Sequence, residues 1–366
     1  MFRLRGLHFS TVARLLRLAP AEPTNGPLHV LLCVADHYEP KWAAAPPHVQ
    51  QERVDRWVRE YPRMAAGLED SRGRPPQHTY FYPAEEYEPE YLDQLAGLCR
   101  QSEGRQGLGD IEIHLHHDRD TSAGFREKIE TFKQRLFFAH GLLSQDAEGR
   151  IGYGFIHGNW ALDNSRPDGR WCGVNDEITI LRETGCYADF TMPSAPDPAQ
   201  TRTVNSIYYA VDDPQKPNSH DRGTVAAVGS APPKKSLLMI QGPLALDWQR
   251  RKWGLLPGLE NGDLTARRPP SWSRFDLWRR AGVSVVGQPN WVFIKLHTHG
   301  AQEANSAMLL GEPMRAFHQA LADHARQNPW FRYYYVTARE MACLAHQAEQ
   351  GLAAPAFDML ATPAQK

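Results

Sequence analysis

Histidine is the residue whose placement in this chain points to chemistry. The sequence holds 16 histidines in 366 residues. His37, His114, His116, His117, His297 and His299 fall in three short stretches, LLCVADHYEP (31–40), DIEIHLHHDRD (110–120) and VFIKLHTHG (292–300). Each stretch runs from apolar residues into polar ones, the pattern of a strand that delivers side chains at its end. In the second, a two-residue period puts Ile111, Ile113 and Leu115 on one face and Glu112, His114 and His116 on the other, with His117, Asp118 and Asp120 following. The third alternates Lys295, His297 and His299 with Ile294 and Leu296, and the first ends in Asp36 and His37, followed by Tyr38 and Glu39. Imidazole is the commonest metal-binding side chain. Imidazoles and carboxylates converging from three strand ends can hold a divalent cation and leave a position for water. His114 alone reads as readily as a hydrogen-bonded interior group; the convergence is what points to a metal or acid–base centre.

For these ends to meet, the strands must be parallel and neighbouring. The apolar patterning predicts strands at 28–36, 78–82, 110–117, 152–157, 187–192, 236–241, 291–297 and 331–336, and helices at 48–69, 89–101, 124–143, 175–184 and 312–327. Strand followed by helix, repeated, implies a parallel α/β sheet, and at this length a barrel. Three parts are expected: a basic amphipathic segment at 1–26, a (β/α) barrel over 27–345 and a C-terminal tail at 346–366. Within the barrel, a Pro- and Gly-rich insertion at about 193–275 carries a hairpin and the stretch DWQRRKWG. The segment at 1–26 reads as packing on the body, with a membrane-surface role as the alternative.

Several classes are excluded or disfavoured. A net charge of -1 lacks the basic footprint that phosphate backbones need, so nucleic acid is not an expected partner. The 5 cysteines show no paired spacing, which argues against a disulfide framework. No apolar run approaches a membrane span and the start lacks a continuous apolar leader, so a cytoplasmic location is expected. Neither GxxxxGK[ST] nor GxSxG occurs. Cys33 reads as a small buried apolar residue and RYYYV as core.

The order of these segments resembles the metal-dependent polysaccharide deacetylases of NodB-homology type, within the glycoside hydrolase/deacetylase barrels. LLCVADHYEP stands where that family has a strand ending in paired aspartates, HTYFYPAEEYEPEYLDQLAGLC resembles its second strand and helix, and DIEIHLHHDRD its histidine motif. GFIHGNWALDNS stands at its groove wall, ILRETGCYADFTMPS resembles the next helix and strand, and VFIKLHTHG its last histidine motif. The likeness covers about 28–195 and 285–300. It implies a distorted (β/α)7-type parallel barrel, with a divalent metal, zinc first, that polarises an acetyl carbonyl and activates water. Carried over, Asp36 matches the base and His297 the acid. His37, His116 and Asp120 match the metal ligands, and His114, His117, His299 and Glu112 are further ligands or their hydrogen-bonding neighbours. His157, Asn159 and Trp160 would line the substrate groove, with Trp160 and Trp171 stacking on a sugar. His37 replaces a family aspartate, Asp120 replaces a histidine, and the groove arginine is absent. Asp36 is therefore open as ligand or base. The implied activity is removal of acetyl groups from an N- or O-acetylated carbohydrate. The alternatives are a glycoside hydrolase on the same barrel, drawing on Asp36, Glu39 and Glu112, and a sugar-binding barrel without catalysis. The oligomeric state is not legible.

Overall fold

The computed structural model describes residues 3–4, 7–16, 26–100 and 106–360. Its centre is one large, mostly parallel sheet. We label its strands β1 (Leu28–His37), β2 (His78–Pro83), β3 (Gly109–Leu115), β4 (Ile151–His157), β5 (Cys186–Asp189), β6 (Ile207–Val211) and β7 (Ser236–Ile240). After them come the hairpin strands β8 (Ala245–Lys252) and β9 (Leu256–Glu260), then β10 (Asp263–Leu264), β11 (Trp291–Thr298) and β12 (Phe331–Tyr335). The ladder runs β6-β7-β5-β4-β3-β2-β1-β11-β10, parallel throughout except between β6 and β7.

β1 is the pivot of the sheet. It pairs along its length with β11, from Trp291 opposite His29 to Thr298 opposite Asp36. Its other edge is shared: β12 pairs with Leu28 to Leu32, and β2 with Ala35 to His37. Past β6, isolated bonds from Ala226 N to Ile207 O, Val286 N to Ala226 O and Phe293 N to Val283 O lead back to β11 without a ladder.

Burial on both faces explains why the strands read as nearly continuous apolar runs. On β1, Leu28, Val30, Leu32 and Val34 meet the surrounding helices, whereas Leu31, Cys33 and Ala35 enter an inner cluster with Phe81, Ile156, Phe190, Ile240 and Phe293. The helices are α1 (Phe9–Leu16), α2 (Pro47–Ala65), α3 (Pro89–Cys99), α4 (Ser122–Gln134), α5 (Glu177–Glu183), α6 (Trp272–Ala281), α7 (Glu303–Leu309), α8 (Glu312–Gln327) and α9 (Ala338–Glu349). Pro47 opens α2 at a position where a missing N–H costs nothing, and Trp57 on its inner face is fully buried. Thr337 and Glu340 form a reciprocal cap on α9. Met341, Leu344 and Ala345 of α9 join the inner cluster.

Two expected boundaries move. The stretch 193–275 is not a cover laid over a finished barrel, because β6 and β7 within it belong to the main sheet and only the β8–β9 hairpin stands apart. The boundary at 345 cuts α9, and Phe357 packs on Tyr334 at 4.9 Å between ring centroids, so 346–360 is part of the body; 361–366 lie outside the described residues. In the segment 1–26, Leu7 and Leu15 pack with Val204 and Leu244, while 1–2, 5–6 and 17–25 lie outside the described residues. Among the described residues, no helix is long and apolar enough to cross a membrane.

Candidate metal centre

Strand period decides which side chains reach the inside. His37, the last residue of β1, shares the inward face with Leu31, Cys33 and Ala35. Beyond it the chain turns, fixed by the bond from Tyr38 N to Phe81 O and by Arg53, which donates to the carbonyls of Pro40 at 2.7 Å and Trp42 at 3.0 Å. That turn brings Glu39, 3 % exposed, back over the strand ends.

Glu39 is the hub of the site. Its Oε1 lies 3.3 Å from Nε2 of His114 and 3.3 Å from Nε2 of His116, and its Oε2 lies 3.5 Å from Nδ1 of His299. The ring of His37 is 4.9 Å from that of His114, 4.8 Å from His299 and 6.4 Å from His297. His114 gives its Nδ1–H to the Ile156 carbonyl at 2.8 Å, so its Nε2 meets the carboxylate with a bare lone pair unless a proton or cation stands between them. Glu39 Oε2, His297 Nδ1 and His299 Nδ1 are buried without hydrogen-bond partners. Orphaned atoms of this kind, on borderline donors, fit a divalent ion held by His37, Glu39 and His114, whose ligating atoms lie within 4.8 Å of one another.

Electrostatics follows the same geometry. Burial pushes the Glu39 carboxyl up, but His114, His116 and His299 outweigh it and hold the group well below the usual carboxylate range. Burial, reinforced by the neighbouring imidazoles, keeps His37 well below its ordinary value, and burial together with Lys295 does the same for His297. Burial also opposes a charge on His116, yet Glu39 and Glu85, one on each ring nitrogen, push it up to about 10. Close by, burial lifts Glu86 to about 7 while its Oε2 accepts the Lys41 N–H.

The mouth is aromatic and backbone-strained. Trp42 stands 6.2 Å from His299 and Trp160 6.4 Å from His37, with Trp160 Nε1 unpartnered. Asn159 and Trp160 both adopt left-handed backbone, at φ 54 and φ 56, a conformation rare for a bulky residue and concentrated at functional sites. Gly158 is required before them, because a Cβ there would sit 2.3 Å from the His116 ring.

Not every residue marked in the sequence arrives here. Asp36 falls on the outward face of β1, where Oδ1 accepts the Gly300 N–H at 2.6 Å and Oδ2 meets His78 Nε2 at 2.8 Å beside Trp57. Both of its oxygens are engaged away from the imidazoles, so the assignment as base is not supported by its position. Asp120 lies instead beside His117 and Lys128. His157 also belongs outside the groove: it is fully buried, facing Glu177. Glu112 lies on the inward face of β3, held by the Gly154 N–H and Tyr187 hydroxyl, and burial with Asp110 pushes its carboxyl well above the usual carboxylate range. Trp171 meets the guanidinium groups of Arg166 and Arg170, at 4.8 and 4.9 Å from its ring centroid. Sequence reasoning gave Glu85 and Glu86 no role and Glu39 only a place among the carboxylates of the glycoside hydrolase alternative, not that of a metal ligand; the signal available was a carboxylate two residues past a strand-end histidine.

No protein-family model matches the chain and no curated protein matches it. Among solved structures it is similar to one described as the crystal structure of Puue allantoinase, at 12% identity and a TM-score of 0.46, covering 91% of this chain and 95% of that one.

Proposed function

We propose that this chain is a metal-dependent hydrolase of the polysaccharide-deacetylase kind, removing acetyl groups from an N- or O-acetylated carbohydrate. The observation that carries the reading is Glu39, a buried carboxylate ringed by imidazoles from three strand ends, with polar atoms left unpartnered at an aromatic mouth. The ordered strand-end motifs support the substrate class. A divalent ion of the zinc class at His37, Glu39 and His114 would supply Lewis-acid polarisation of an acyl carbonyl and a lowered water pKa.

The remaining residues divide the work. His116, tied to Glu85 at 2.5 Å and partly open to solvent, holds positive charge where an acyl oxygen would become negative. His297, whose Nδ1 has no hydrogen-bond partner, would relay to the leaving amine or alcohol the proton that the attacking water gives up. Glu85, at the mouth, is the carboxylate positioned to accept the proton from water, in place of Asp36. Trp42 and Trp160 flank the opening as stacking surfaces for a sugar ring.

Incubation with acetylated chito- and xylo-oligosaccharides tests this reading. Free acetate should appear, the sugar chain should keep its length, and dialysis against a chelator should abolish the release. Shortened chains without acetate would replace the proposal with glycosidic cleavage, and no product with any acylated sugar would sink it.

A further inference from the structure

A second cluster of imidazole and carboxylate lies on the opposite side of the same strand ends. His117 follows β3, His157 ends β4 and Glu177 opens α5. Glu177 Oε1 is 3.2 Å from Nε2 of His117 and 3.6 Å from Nε2 of His157, and the three ligating atoms lie within 4.8 Å of one another. A tetrahedral zinc bound at ~2.0–2.1 Å spaces its ligand atoms about 3.3 Å apart. We propose that His117, His157 and Glu177 hold a structural divalent cation of the zinc class, separate from the centre around Glu39.

Ring orientation carries the argument. His117 Nδ1 faces Asp120 Oδ2 at 3.2 Å, and His157 Nδ1 gives its proton to the Gly158 carbonyl. With those protons turned outward, both Nε2 lone pairs aim at the same carboxylate oxygen. Like-charged electron pairs do not hold such an arrangement by themselves. A proton on His117 satisfies one edge only, and His157 Nε2, fully buried, still has no hydrogen-bond partner. A dication satisfies every edge at once, and an outward N–H bond to a carboxylate or carbonyl is how metal-bound imidazoles are oriented. Glu177 Oε2 is pinned by the Asp163 N–H at 2.6 Å, so the carboxylate cannot swing away.

The surroundings mark this second ion as structural. His117 stacks on Phe125 of α4 at 4.7 Å and 15°. Gly173 packs so closely that a Cβ there would lie 1.9 Å from the His117 ring. No ligand atom reaches solvent enough for turnover: side-chain exposure is 1% for His117 and 0% for His157 and Glu177. Two imidazoles with one carboxylate suit zinc over magnesium or calcium, which prefer all-oxygen sets. The clamp would tie β3, β4 and α5 together. Because His117 follows His116 and His157 precedes Gly158, it would also fix the backbone that presents His116 and Trp160 to the inner centre.

The test uses the full chain, stripped with a chelator, reloaded with zinc and assayed for bound metal. Wild type should take up two equivalents, and Glu39→Gln, His157→Gln and Glu177→Gln one each. Chelation should lower the Tm of wild type and Glu39→Gln by several degrees and that of His157→Gln by much less. Should the outer variants fail to fold, wild type loaded with cadmium-113 should give two resonances, of which Glu39→Gln removes one. A single equivalent or a single resonance, lost in Glu39→Gln, would overturn the outer site while leaving the proposed function intact; two equivalents retained in His157→Gln would also overturn it.

Discussion

Glu39 and Glu260 are both buried carboxylates, 3% and 0% exposed, and their surroundings differ in kind. Glu260, at the end of β9, accepts from Arg274 at 2.8 and 2.9 Å, from Arg268 at 2.7 Å, from the Trp278 indole at 2.8 Å and from the Gly262 amide at 3.0 Å. Every group around it is a permanent donor, so the charge is fully answered by protein. Glu39 is met by imidazoles, which can offer either a proton or a lone pair, and one of its oxygens has no hydrogen bond. Burial of a carboxylate therefore does not mark a site. What marks it is a set of neighbours left with unspent lone pairs.

The largest expected effect separates the two directly. Glu39→Gln should lower kcat for acetyl release on the order of 10³-fold, by removing a ligand and the charge that orders the imidazoles. With both proteins in chelator, its Tm should lie close to that of wild type. An enzyme that keeps its rate, or unfolds, would erase the contrast. Glu260→Gln should do the reverse and cost about 3 kcal/mol of stability by denaturant melts, the lower end for breaking a buried pair, with chelator making no difference.

Acid sharpens that result. Arg274 and Arg268 hold Glu260 below the usual carboxylate range in spite of burial. The group then binds its proton less readily folded than unfolded, so its contribution is full above about pH 4.3 and fades as pH falls through the lowered value. The stability gap between wild type and Glu260→Gln should narrow in that acid range and stay flat from pH 6 to 8. A gap that widens in acid would contradict the charge-paired reading. The smallest effect is expected at the rim, where Trp160→Ala should raise KM a few-fold with kcat nearly kept, since one aromatic contact is worth about 1 kcal/mol. An unchanged KM would remove Trp160 from the sugar-facing wall.

Much of this was legible in the sequence. The two-residue period placed Glu112 and His114 on the inward face of β3 and His297 on that of β11, because strands buried on both faces keep their alternation strictly. The same period shows why Asp36 and His37 cannot share a face, a point that a family pattern of paired acids conceals. Glu39 was harder to see, since β1 stops at His37 and the returning turn depends on Arg53, a residue on a later helix. α9 was missed because its residues are buried almost all round, which removes the helical stripe. β6 read as half of a hairpin, and it does pair with Thr224–Val225; its place beside β7 depends on a partner that local pattern does not reveal.

The position of β1 has a consequence for biosynthesis. The strand that carries His37 and leads to Glu39 has among its neighbours on the two edges β11 and β12, more than 250 residues downstream. During translation the apolar segment LHVLLCVA has only β2, which pairs with Ala35 to His37, as an early partner. Such sequence-distant parallel pairing is slow and exposes unpaired edges while the chain waits. The β1 strand therefore lacks these partners until residue 335 has been synthesised, and His37 can meet His299 only after β11 has been made.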